Sequence, residues 1–241
     1  MKNLLKKIIY PVLHLIREIL IVLKKYSLPG LPQTLKTYEK YYIEENQKSY
    51  DHFKKYFKTS VLLRGHDIQK YSIKRAIEND KNLTKFYIEF GVYTGTTINF
   101  FSKFVKKIYG FDSFEGLRED WVGSNLGKGT FNLKGKLPNL NSNVFPIKGW
   151  VQDTLPQFLK EHKPSINFVH IDLDTYESSK FVLTEIKPYL SKNSIILFDE
   201  LYNFVGWEVG EYKALTEAFN ENEYKFLAFS RDITQATIKI L

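Results

Sequence analysis

The 241-residue chain has no cysteine. That absence excludes disulfides, thiolate metal sites and a cysteine nucleophile, and it fits a reducing compartment. Long hydrophobic runs are also missing. From Leu4 to Leu23 the chain is apolar, but Lys6, Lys7, His14, Arg17 and Glu18 interrupt it, and its longest uncharged run, Ile8 to Leu13, contains Pro11. Such a run is far too short to cross a bilayer as a clean helix. No small-residue cleavage site follows it, so a secretory signal peptide is not expected. With 43% hydrophobic and 26% charged residues, wholesale disorder is excluded. The length suits one sizeable core, or one core with a small appendage.

The formal net charge of +8 first suggests nucleic acid or an acidic membrane surface as a partner. Residues 1–85 hold 18 basic and 8 acidic residues, giving +10, and residues 86–241 hold 17 basic and 19 acidic, giving −2. The basicity therefore belongs to the first third, and nucleic acid is not expected as the partner of the remainder. Residues 1–85 show no strand alternation and read as a basic helical segment. The stretch 1–25 is expected to be an amphipathic helix. It either packs on the domain or a second subunit, as in a homodimer, or lies on anionic lipid with Lys2, Lys6, Lys7, Lys24 and Lys25 at the headgroups. Leu28-Pro-Gly-Leu-Pro32 is a breaker, and the Tyr- and Lys-rich stretch Tyr38 to Phe57 predicts further helix.

From residue 86 the pattern changes. Short β-prone runs begin at Phe86, Lys107, Asn143, Ile166 and Ser194, with helical stretches such as Thr96 to Val105, Thr154 to Glu161 and Ser178 to Leu190 between them. A further helix from Glu211 to Asn220 and two closing strands, Phe226 to Phe229 and Thr234 to Leu241, complete the pattern. Alternating strands and helices imply an α/β fold, a doubly wound, mostly parallel sheet over 86–241. Ligands of such sheets bind beyond the carboxyl ends of the strands. Four of these runs carry an acid at or just before that end: Glu89, Asp112, Asp172 and Asp199.

Glu89-Phe-Gly-Val-Tyr-Thr-Gly95 joins the first of these strands to a helix. Gly91 and Gly95 allow a tight turn and close backbone approach, while Tyr93 stands where many nucleotide folds have a third glycine. Asp112, at the end of the next strand, is suited to the two hydroxyls of a ribose. NAD and S-adenosylmethionine both present such a ribose. The sparse glycine pattern favours the second, which has no pyrophosphate to cradle.

Five segments in order then resemble the class I S-adenosylmethionine-dependent methyltransferases, nearest to the macrocin-type sugar O-methyltransferases. They are Glu89 to Gly95, Gly110-Phe-Asp-Ser-Phe-Glu-Gly-Leu117, Gly149-Trp-Val-Gln-Asp-Thr-Leu-Pro156, His170-Ile-Asp-Leu-Asp-Thr-Tyr-Glu-Ser178 and Phe198-Asp-Glu200. The resemblance covers roughly residues 86–220 and implies a Rossmann-like methyltransferase fold. It implies that Glu89, Gly91, Tyr93 and Gly95 line the methionine end of the cofactor, and that Asp112 and Ser113 meet the ribose. Trp150 or Val151 would pack on the adenine, with Gln152 or Asp153 near its amine. It further implies Mg²⁺ held by Asp172, Asp199 and Glu200, with Asp174 as general base. Glu200 departs from the aspartate usual at its position. Four acids close together need a neutralising partner, and a hard divalent cation suits oxygen donors.

The implied activity is O-methylation of a sugar or nucleotide-linked sugar in a glycan or natural-product pathway of a bacterial cytoplasm. Alternatives are a metal-independent methyltransferase acting on an amine or phosphoryl-type oxygen, an NAD-linked sugar-modifying enzyme, and a non-catalytic membrane- or nucleic-acid-binding module using residues 1–85. Tyr176, Glu177, Tyr202, Asn203, Trp207 and Glu208 are candidates for an acceptor pocket, and Gly116 to Leu140 reads as a long insertion able to act as a lid. His170, inside a strand, reads as a core histidine.

Overall fold

The computed structural model describes residues 36–241, together with Val12, Leu15, Ile16 and Ile19. Eight strands form one sheet in the order β1-β7-β8-β6-β5-β2-β3-β4. They are β1 (Val61–Leu63), β2 (Phe86–Phe90), β3 (Ile108–Asp112), β4 (Val144–Lys148), β5 (Ile166–Ile171), β6 (Leu190–Phe198), β7 (Tyr224–Ser230) and β8 (Ala236–Ile240). Only β8 runs antiparallel to its neighbours, β6 and β7. The other seven strands therefore point their carboxyl ends to the same edge. Central strand β5 is buried along its whole length and β2 nearly so, as expected for parallel strands covered on both faces.

Within residues 36–241, six α-helices accompany the sheet: α1 (Lys36–Phe57), α2 (Asp67–Glu78), α3 (Thr96–Ser102), α4 (Val151–His162), α5 (Tyr176–Ile186) and α6 (Glu211–Ala218). Phe53 of α1, Leu155 and Phe158 of α4, Val182 and Ile186 of α5 and Leu215 of α6 share one core with Val169, Ile171, Ile196 and Phe198. Ile68, Ile73 and Ala76 of α2 and Ile98 and Phe101 of α3 share the other with Phe168, Ile195 and Leu197. Neighbouring residues of β5 and β6 thus face opposite cores, the period-two pattern of a doubly covered sheet. The expected strands and helices from residue 86 onward all form, with ends displaced by a few residues.

The N-terminal third divides differently from the sequence expectation. The chain separates into a unit of Met1–Tyr41 and a larger unit of Tyr42–Leu241, so residues 42–85 belong with the sheet. The reason lies in α1, where Glu45, Ser49 and Phe53 recur every fourth residue and are buried. Phe53 packs edge-on against Trp207 and Tyr212, with ring centroids 5.3 Å and 5.2 Å away. The all-helical expectation for 1–85 also fails at Val61–Leu63, which pairs in parallel with Ala228–Ser230 of β7. Three residues are too few to display an alternation. In the smaller unit, Val12, Leu15, Ile16 and Ile19 are helical and exposed. The lysines expected at a lipid surface and the Leu28–Pro32 breaker lie outside the described residues. No helix among the described residues is long and apolar enough to cross a membrane.

Replacing Phe53 with Ala is expected to lower unfolding stability by about 3–5 kcal/mol, measured by denaturant titration, because it empties a fully buried aromatic site.

Candidate active site

The site begins with a backbone contact. Gly91 has φ +88°, and a Cβ placed there would lie 1.6 Å from the carbonyl oxygen of Asp172. Only glycine permits that approach. It brings the end of β2 against the end of β5, where the Asp172 N–H donates to Phe90 O at 2.9 Å. On the other side the Gly91 N–H donates to Phe111 O at 2.9 Å. Asp112 then fixes the turn: its Oδ2 accepts the N–H groups of Val92 and Tyr93 at 2.8 and 2.7 Å, and its Oδ1 accepts that of Phe114 at 2.6 Å. A carboxylate offers about four acceptor positions, so Oδ1 keeps capacity for one further donor. Tyr93 adopts a left-handed φ of +44° and sets its ring against Phe131, 5.2 Å between centroids.

A cleft opens beside this turn. Gly91, Tyr93, Asp112, Ser113, Trp150, Val151, Asp172 and Asp174 all line it, eight of the fourteen residues expected to meet the cofactor, the cation or the transferred proton. The insertion after β3 contributes Gly116, Leu117, Arg118 and Phe131 to the same cleft, so it forms one wall. Arg118 lies 5.3 Å from the Trp150 ring centroid and donates to Gln152 Oε1 at 3.1 Å. Gln152 therefore holds a wall residue and is not itself in the lining, and Asp153 is exposed on α4 outside it. Gly95 precedes α3 with φ +82°, also outside the lining.

Glu89 lies beneath the cleft, fully buried. Its Oε2 is 3.1 Å from His170 Nδ1 and its Oε1 accepts the Thr97 hydroxyl at 2.9 Å. The other ring nitrogen of His170 faces Asp199 Oδ1 at 3.5 Å. His170 is the core residue expected, and it also links two carboxylates. Asp199 further accepts a hydrogen bond from Gln235. Glu200 is buried, and oxygens of Asp172, Asp174 and Glu200 all lie within 4.8 Å of one another. Glu211, unnoticed in the sequence, joins them at the start of α6: it is fully buried and accepts the Glu200 N–H at 3.0 Å. An acid in a first helical turn reads as an ordinary partner of the helix dipole, so only the buried pairing reveals it. Glu200 Oε2 and Glu211 Oε1 are buried without a hydrogen-bond partner.

The electrostatics follow from this crowding. Burial raises Asp172, Glu200 and Glu211 well above the carboxylate range, and the charge of Asp199 adds to the effect. Burial also lifts Asp174, to about 7, with help from Asp199 and Asp112. Burial acts against a charged His170, but the Asp199 and Glu89 carboxylates outweigh it and hold the imidazole protonated well above its usual range. Asp199 falls to about 2 against the effect of burial, because His170 stabilises its charge. One imidazolium, in contact with Glu89 and Asp199, therefore serves a cluster that also holds Asp172, Asp174, Glu200 and Glu211. A clustered all-oxygen set with unpartnered buried carboxylate oxygens fits a hard divalent cation.

For Asp174, a folded pKa raised from 3.8 to about 7 means that the folded state binds more protons across that window. Its contribution to stability is full below 3.8 and is lost as the pH rises through about 7. In chelator, the melting temperature is expected to fall between pH 5 and pH 8 by calorimetry, and Asp174→Asn is expected to flatten that fall. An equal fall in the variant would refute the assignment.

Residues 88–201 match the family model described as a methyltransferase domain. No curated protein matches the chain. Among solved structures, the calicheamicin methyltransferase CalS11 is 23% identical, with a TM-score of 0.59 over 88% of this chain and 94% of that one. A second, apo structure of CalS11, described as a TDP-rhamnose 3'-O-methyltransferase of calicheamicin biosynthesis, is 21% identical, with a TM-score of 0.53 over 89% and 97%. The O-methyltransferase NovP is 17% identical, with a TM-score of 0.56 over 72% and 78%. These likenesses establish the fold, and the family match covers the turn, the cleft and the carboxylates together. Residues 88–201 thus match the methyltransferase-domain family model, and the chain shares the fold of these O-methyltransferase structures.

Proposed function

We propose that the protein methylates a hydroxyl of a sugar or sugar-containing small molecule, with a divalent cation such as Mg²⁺ at the carboxylate cluster. The observation that carries this reading is that Asp172 and Asp174 belong both to the cleft lining and to the cluster. Cofactor and cation-bound acceptor would therefore meet across one pair of residues. The sugar substrate named for CalS11 supports the acceptor class.

The cofactor supplies a methyl group already activated on sulfonium sulfur, so the chain's task is alignment and removal of one proton. Asp112 has one acceptor position left for a ribose hydroxyl, and Trp150 offers a face for the adenine. Asp172, Asp199 and Glu200 would hold the cation, which lowers the pKa of a bound hydroxyl. Glu200, one methylene longer than aspartate, is positioned by burial and by its backbone bond to Glu211. His170 fixes Asp199 from below. Asp174 takes the hydroxyl proton as the oxygen–methyl bond forms and the sulfur–methyl bond breaks. A pKa of about 7 before any cation binds places it near the operating range of a general base. The left-handed φ of +61° at Asp174 is the kind of strained backbone found at functional sites.

Mass spectrometry of methyl transfer from labelled S-adenosylmethionine into a panel of nucleotide sugars, phosphosugars and glycan extracts is expected to show a singly methylated sugar. Asp174→Asn is expected to lower kcat by about 10²–10⁴-fold while S-adenosylhomocysteine still binds. Full activity in chelator would instead favour metal-independent transfer to an amine or phosphoryl-type oxygen. For residues 1–25, the exposed apolar positions Val12, Leu15, Ile16 and Ile19 support peripheral contact with an anionic membrane. Deleting 1–25 is expected to abolish binding to anionic liposomes in a flotation assay.

A further inference from the structure

A second, open groove lies at the same edge of the sheet, on the side of β6 away from the cofactor cleft. Its walls come from α1, the end of β1, the loop after β6 and the start of the β7–β8 turn, including Ser49, Tyr50, Tyr202, Asn203 and Arg231. Its loops are linked to the carboxylate cluster through the chain and through hydrogen bonds. The loop containing Tyr202 and Asn203 begins two residues after Glu200. The turn carrying Arg231 also holds Asp199, through the Thr234 hydroxyl on its carbonyl at 2.6 Å and through Gln235 on its carboxylate. The Tyr202 hydroxyl donates to Ser230 O and closes the two loops on each other.

Three side chains there have no protein partner among the described residues. The Arg231 guanidinium makes neither an ion pair nor a hydrogen bond, although its backbone N–H is anchored to Leu63 O at 2.8 Å. Ser49 is buried, and its hydroxyl is unused. Asn203 is held with φ +65°, a left-handed conformation, and its amide is likewise unused. The nearby acid, Asp232, accepts the Gly65 N–H at 2.6 Å and the Ser230 hydroxyl at 3.1 Å, and makes no ion pair with Arg231. Arg231 and Asn203 are exposed and Ser49 is buried, and together they offer donors of the kind a planar or tetrahedral oxyanion takes.

We propose that this groove binds a phosphate or diphosphate group carried by the acceptor, with Arg231 as its main contact. The inference rests on the sugar-methyltransferase reading and narrows the acceptor from sugars in general to phosphorylated or nucleotide-linked ones. The acceptor hydroxyl would lie at the carboxylates and its anionic group on the far side of β6, leaving the cofactor cleft clear. Arg231 is then a specificity-determining residue, remote from the reacting atoms.

Calorimetric titration of the full chain with inorganic pyrophosphate and, separately, with S-adenosylhomocysteine tests it. Wild-type protein is expected to bind both at once. Arg231→Gln is expected to weaken pyrophosphate binding at least about tenfold and leave S-adenosylhomocysteine affinity unchanged, with Arg231→Lys intermediate. No pyrophosphate binding to wild type, equal binding in the Gln variant, or displacement of pyrophosphate by S-adenosylhomocysteine would each overturn the proposal. Failure of wild type to bind S-adenosylhomocysteine would instead undermine the methyltransferase reading on which it rests.

Discussion

Carboxylates outnumber cations at the carboxyl edge of this sheet, and the site is organised around that imbalance. Among the described residues His170 is the one buried cation at that edge, held between Glu89 at 3.1 Å and Asp199 at 3.5 Å. That arrangement keeps Asp199 ionised and leaves Asp172, Asp174, Glu200 and Glu211 in competition for protons. Several like charges cannot all ionise in a buried space without a counter-ion. Under the proposed function, a hard cation held by these oxygen donors would relieve that crowding.

A close backbone approach makes the crowding possible. With no side chain at position 91, the ends of β2 and β5 come close enough for the cofactor turn and the carboxylate loop to share a boundary. Asp112 stabilises the turn through three backbone N–H groups before it meets any ligand. The residue that binds the cofactor ribose in the proposed function therefore also preorganises the loop that receives the methionine end. On the far side, the β7–β8 turn supports Asp199 and carries Arg231, so the same structural unit serves the chemical centre and the proposed anion site.

The strand ends were legible in the sequence because central strands of a parallel sheet are short, apolar and punctuated by acids or glycine. Asp172, Asp174, Asp199 and Glu200 follow those ends directly, and the structure places them at one edge. Glu89 was visible as a strand-end acid, but it points beneath the cleft toward His170, because strand periodicity fixes only the face and not what lies across the sheet. Gln152 and Asp153 sit on the right helix and outside the lining, since one helical turn carries neighbouring residues around the axis. Glu211 and Arg231 depend on contacts between loops distant in sequence, and no local pattern marks them. Strand β1 escaped notice for its brevity, and the placement of 42–85 against the sheet rests on a buried stripe that its many tyrosines and lysines obscured.

The central claim is that the carboxylate cluster is a cation site coupled to the cofactor cleft. Electron paramagnetic resonance of Mn²⁺, titrated into protein saturated with S-adenosylhomocysteine, tests it most directly, because only free Mn²⁺ gives the full solution signal. One tightly bound ion per chain, competed by Mg²⁺ and lost in an Asp172→Asn, Glu200→Gln double variant that still binds S-adenosylhomocysteine, is the expected result. Mn²⁺ uptake no greater in wild type than in that variant would contradict it.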